Sequence, residues 1–108
     1  MTVPEAEQST VFENDLVSMG AASTITFHMG AGTDTATHLY LGLPRSVSYG
    51  IEVFPTVACS ITEINGRTLK SAMSVGTGGW RAEQAKITQF TVQSDSATVV
   101  EVMGKGGN

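Results

Sequence analysis

The chain has 108 residues, of which 41% are hydrophobic and only 15% charged, with a formal net charge of −4. That length suits one compact domain and is too short for two. Six basic residues against ten acidic ones leave no surplus of positive charge for a nucleic-acid groove, a single cysteine excludes an internal disulfide, and no apolar run approaches the length of a membrane span.

The first nine residues, MTVPEAEQS, contain Pro4, Glu5 and Glu7 and read as a flexible arm. The acidity continues through Glu13 and Asp15, so four of the ten acidic residues fall in the first fifteen positions, where no Lys or Arg occurs. Over the rest of the chain six acidic residues face six basic ones. The segment has neither the cationic leader nor the apolar stretch of a signal peptide, which gives the expectation of a soluble chain made in the cytoplasm.

From residue 10 to residue 104 the pattern predicts one all-β domain. Val, Ile and Thr recur, turn residues punctuate them, and no long 3.6-residue period appears. Strands are predicted near 10–18, 22–29, 37–43, 46–54, 57–64, 67–75, 86–94 and 98–103. Short strands at this spacing indicate a β-sandwich, jelly-roll or Greek-key in its connections.

Between the second and third of these strands lies FHMGAGTDTATHL, residues 27–39, where His28, Asp34 and His38 offer metal-ligand chemistry. Spacings of six and four residues match no closed zinc motif, and a fourth ligand is missing. A phosphate loop needs a helix after its glycines, whereas HLYLGL continues as a strand. The stretch is read as a connection, with Gly30 and Gly32 turning the chain and Asp34 bonding local amides.

SVSYGIEVF is the clearest half-buried strand: Val47, Tyr49, Ile51 and Val53 alternate with Ser46, Ser48, Gly50 and Glu52, and Pro55 ends it. SITEINGRTLK is the clearest hairpin, because Asn65-Gly66 suits a two-residue type I′ turn. GWRAEQAK, residues 79–86, has good helix formers and reads as a short helix or an irregular crossover. KITQFTVQS and ATVVEVMG, joined at Asp95-Ser96, read as a second hairpin, although Ile87 and Phe90, three residues apart, imply a bulge or frayed register. The Gly-rich residues 105–108 read as a mobile tail.

Candidate chemistry is sparse. Cys59 sits among apolar neighbours and reads as a small buried hydrophobe. No Ser lies in a Gly-x-Ser-x-Gly context. Glu52 and Glu63, a conceivable carboxylate pair, alternate outward on strands. The charge fraction, well under the roughly 25% of an ordinary soluble domain, is the strongest compositional signal. Burial against neighbouring molecules accounts for it, since interface cores are depleted of charge. Trp80 and Arg81 belong to the residue types that dominate interfaces. With the acidic residues Glu5, Glu7, Glu13 and Asp15, they are the expected contacts. No catalytic, cofactor or metal site is assigned. The competing expectation is a carbohydrate- or receptor-binding module with Trp80, Tyr40 or Tyr49 as a stacking platform.

Taken together, VSYGIEVFPTV, EINGRTLKSAMSV and KITQFTVQSDSATVVEVMG resemble small β-rich virion proteins of tailed bacteriophages, including capsid decoration or cement proteins. The likeness lies in strand rhythm and composition over roughly residues 45–104 and carries no site residue across. It implies a non-enzymatic structural protein of the virion, made in the host cytoplasm, which needs no cofactor, nucleic acid or membrane. It also implies a homo-oligomer, dimer or trimer, that fastens onto a major capsid protein or another virion protein.

Overall fold

The computed structural model describes residues 10–107. They form nine strands, β1 (Thr10–Met19), β2 (Ser23–His28), β3 (His38–Tyr40), β4 (Ser48–Pro55), β5 (Cys59–Ile64), β6 (Arg67–Val75), β7 (Trp80–Ile87), β8 (Gln89–Ser94) and β9 (Thr98–Gly107). Among the described residues there is no helix. One sheet has the order β1-β9-β4-β7 and the other β3-β2-β8-β5-β6; all pairs are antiparallel except β2 with β3.

One turn organises this connectivity. Asn65 and Gly66 take φ of 54° and 78°, as the type I′ turn requires, and close the β5–β6 hairpin at Ile64 and Arg67. Back from that tip the two halves of the chain run as one antiparallel ribbon: β5 on β6, β4 on β7, β2 on β8 and β1 on β9. The ribbon bends between sheets at its corners, and the wrapped halves meet again where β9 pairs with β4 and β8 with β5. β3 is an addition at the edge. Four strand pairs rolled into two four-stranded sheets make the jelly roll, so the expected all-β sandwich is the fold. The Asn65 side chain also secures a corner. Its Nδ2 donates to the carbonyl of Lys86 (2.9 Å), and its Oδ1 accepts from the amide of Thr88 (2.7 Å).

Four expectations need correction. GWRAEQAK is neither helix nor crossover but the start of β7, held extended by its ladder to β4; tertiary pairing overrides weak helix propensity. KITQFTVQS and ATVVEVMG do not form a hairpin. β8 and β9 follow each other along one side of the ribbon and so fall in opposite sheets. Ile87 and Phe90 are three apart because Thr88 is a corner, and both side chains are buried, one from each sheet. Finally, β9 continues through Lys105, Gly106 and Gly107, paired with Phe12, Val11 and Thr10. Gly104 and Gly106 serve close approach. A Cβ on Gly104 would come within 3.0 Å of Leu41 and 3.2 Å of Leu43, and one on Gly106 within 2.9 Å of the Val47 carbonyl.

The core lies between the sheets. Ile51, Val53, Val100 and Val102 come from one, and Phe27, Ile61, Phe90 and Val92 from the other, all fully buried. Phe27 and Phe90, directly opposite on β2 and β8, stack with centroids 5.2 Å apart. The strand 48–55 keeps Ile51 and Val53 inward as expected, but a register shift between Ser48 and Gly50 turns Ser48 inward and leaves Tyr49 39% exposed. The buried Ser48 hydroxyl stands in for the interrupted ladder: it accepts from the amide of Lys105 (3.0 Å) and lies 2.9 Å from that residue's carbonyl.

Candidate functional site

Alternation along the four strands of the first sheet sorts its outer side chains into rows. Phe12, Lys105, Gly50 and Glu83 stand side by side on β1, β9, β4 and β7; Asn14, Met103, Glu52 and Arg81 form the next row; Leu16, Glu101 and Phe54 the third. Phe12 and Leu16 are 63% and 67% exposed. Leaving two such side chains in water forgoes the roughly 1.5–3 kcal/mol that burial of each would contribute. Phe54 is half-buried. Its ring rests on Gly79, where a Cβ would come within 2.3 Å of ring carbons, and the Arg81 guanidinium lies 5.8 Å from its centroid. Arg81 Nε also bonds Glu52 Oε1 at 2.6 Å. Between the first two rows a shallow hollow of about 150 Å³ opens beside Gly50, lined by Phe12, Glu52, Glu83, Met103 and Lys105; the Lys105 side chain lies across Gly50 itself, its Cε 3.0 Å from where a Cβ would stand.

The outer face of the second sheet is different. Thr26 on β2 faces Thr91 on β8, and their hydroxyls bond at 2.9 Å. Thr91 is buried at 3% exposure. At the β2–β3 edge the parallel pairing brings His28 and His38 together, with His28 Nε2 and His38 Nδ1 2.9 Å apart. Such a bond needs one neutral imidazole as acceptor. The His28 ring also stacks on Tyr40 at 4.5 Å. Burial, and secondly the charge of His38, hold the His28 pKa below its ordinary value.

The loop between the histidines behaves as a connection. Asp34 Oδ1 accepts the backbone amide of Tyr40 (2.9 Å), and Thr35 Oγ1 accepts that of His38 (3.0 Å). The two histidines therefore converge, while Asp34 is committed to a backbone bond. Among the described residues no three His, Cys, Asp or Glu side chains are grouped to hold a metal ion.

The expected contact residues are scattered. Glu5 and Glu7 lie outside the described residues. Glu13 and Asp15 belong to β1 and not to an arm, and they alternate away from the outward row of Phe12, Asn14 and Leu16. Inward-leaning charges on an edge strand are a recognised guard against edge-to-edge pairing. Trp80 packs against the core, its ring tilted 60° to Phe90 at 6.3 Å. Of the six residues, Arg81 alone stands on the exposed outer face among those described. Phe12 and Leu16 are not among the expected contacts; the alternation F-x-N-x-L that signals them is masked in the sequence by the charged residues of the intervening V-x-E-x-D-x-V.

The rival chemistries find little support in the geometry. Glu52 and Glu63 stand on different sheets, so they form no carboxylate pair. Cys59 is buried, and burial pushes its thiol pKa up, away from the reactive thiolate. As a sugar platform, Trp80 is turned inward. Tyr40 has one ring face against His28, and the Gly32 backbone lies so near that a Cβ there would meet the ring at 2.5 Å. No family model, no curated protein and no solved structure matches this chain.

Proposed function

We propose that the chain is a non-enzymatic assembly protein that works by covering the outer face of its β1-β9-β4-β7 sheet against neighbouring molecules. The virion setting implied by the resemblance to phage decoration and cement proteins is part of this proposal. The observation that carries it is the pair Phe12 and Leu16, more than 60% exposed on one face of a chain with only 15% charged residues. Large apolar side chains grouped on an exposed face mark interaction sites. Jelly rolls serve in capsids and in lectins alike, so the fold does not choose between them; the covered Tyr40 and inward Trp80 weigh against the lectin type.

The test is co-sedimentation. Particles from cells expressing the gene are separated on a density gradient, and the chain is quantified in each fraction. The proposal expects a fixed stoichiometric ratio to one shell protein, lost in a Leu16→Glu variant that folds normally. Recovery of the chain only among free proteins would sink it.

A further inference from the structure

We propose that the outer face of the β1-β9-β4-β7 sheet is self-complementary and binds a second copy of this chain face to face about a twofold axis. This deepens the assembly reading and rests on it for the choice of face.

For two copies packed face to face, the twofold axis must lie in the plane between the sheets. Consider an axis running across the strands, through the row Asn14, Met103, Glu52 and Arg81. It leaves each strand over its own counterpart, antiparallel, and exchanges the first row with the third. Phe12 then meets the partner's Leu16. Lys105 meets the partner's Glu101. Phe54 comes to the partner's Gly50, beside which the hollow of about 150 Å³ opens and across which the Lys105 stem lies until it turns to its own charge partner. Met103 meets itself, and a flexible thioether suits such a contact. On β4 and β7 the axis sets Glu52 over the partner's Glu52 and Arg81 over the partner's Arg81; the Glu52–Arg81 bond within each copy makes each pair neutral as a unit. Glu83 meets no like charge, since continuing the alternation of Glu83 and Arg81 brings Gly79 into the third row.

The other in-plane axis, along the strands, fails this matching. It would lay β1 over β7, with Phe12 against Glu83, and β9 over β4, with Glu101 against Phe54. Only exchange of the rows brings apolar against apolar, positive against negative and knob against hollow. An isologous contact needs such internal matching, which a different partner would not require.

Four strands about 4.8 Å apart and about 3.3 Å per residue give roughly 600 Å², somewhat under the roughly 800 Å² per partner of a standard interface. A face of that size suits a reversible contact, so the dimer is sought across the micromolar range.

Sedimentation equilibrium of the purified chain across that range is the measurement. The wild type is expected to move from monomer to dimer. Leu16→Glu, with an unchanged circular dichroism spectrum and melting temperature, is expected to weaken the dimer at least about tenfold. Lys105→Glu and Glu101→Lys are each expected to weaken it too. The double variant restores it, and an equimolar mixture of the two single variants forms the heterodimer in preference to either homodimer, because both charge pairs are then opposite in sign.

A wild type that stays monomeric, or a dimer indifferent to Leu16→Glu, or single charge variants that fail to rescue each other, would each overturn the proposal. Retained particle co-sedimentation in that case leaves the assembly reading standing, whereas an intact dimer absent from particles removes the assembly reading alone.

Discussion

The two outer faces of this sandwich come from the same alternation and have opposite chemistry. On the β1-β9-β4-β7 sheet the outward positions hold Phe12, Leu16, Phe54 and Met103 among Lys105, Glu101, Glu52 and Arg81. On the other sheet, Thr26, Thr91, His28, His38 and Tyr40 satisfy one another with hydroxyl and imidazole bonds and ring stacking. One face leaves apolar surface in water. The other uses its polar groups among themselves. Polar groups are paired on both faces, Glu52 with Arg81 and Asn14 with Glu101 on one, Thr26 with Thr91 and His28 with His38 on the other, so the difference lies in the large apolar side chains that only the first leaves exposed.

The contrast can be broken at its supports. The largest effect is expected at Gly79, which has φ of 91° and lies under the Phe54 ring. Gly79→Ala combines an unfavourable backbone conformation with displacement of that ring, and should cost about 2 kcal/mol in urea unfolding. It should weaken dimerisation as well, since Phe54 loses its seat. A variant as stable as the wild type would show that Phe54 does not depend on this glycine.

On the polar face, Thr26→Val removes the partner of a buried hydroxyl and should cost about 1 kcal/mol. Replacing Thr91 by Val as well should recover part of that loss, because no hydroxyl is then left unpaired. Additive losses in the double-mutant cycle would mean that the 2.9 Å bond contributes nothing. Neither substitution should alter the oligomeric state.

The smallest effect is a pH dependence confined to the polar face. Folding lowers the His28 pKa below the imidazole value of about 6.5 in the unfolded chain, so the unfolded state takes up the proton more readily. The His28 contribution to stability is whole above about pH 6.5 and declines as pH falls toward the folded pKa. Melting temperatures of the wild type should therefore fall faster than those of His28→Gln between pH 7.5 and pH 5 (about one imidazole titration). Parallel curves would remove the effect.

Most of the strands were legible because alternation and turn chemistry are local. Asn65-Gly66 announced its own turn, and the period of two held from Ile51 to Pro55, beyond the bulge at Ser48. What failed depended on contacts far along the chain. Trp80 to Lys86 reads as a helix until β4 pairs with it. Asp95-Ser96 reads as a hairpin turn, because a tight turn and a corner between sheets share the same small polar residues. The convergence of His28 with His38 follows from a parallel register of three residues, which no spacing rule contains. The rows of the proposed contact face are illegible for a related reason: they run across strands, so Phe12 and Lys105 become neighbours only after folding.

Asn14 on β1 reaches Glu101 on β9 across 87 residues of chain, and among the described residues β1 pairs with β9 alone. On a ribosome the first strand must therefore wait, unpaired, until the last one has emerged. Pairings this distant in the chain slow folding, because the loop-closure entropy must be met before the contact forms.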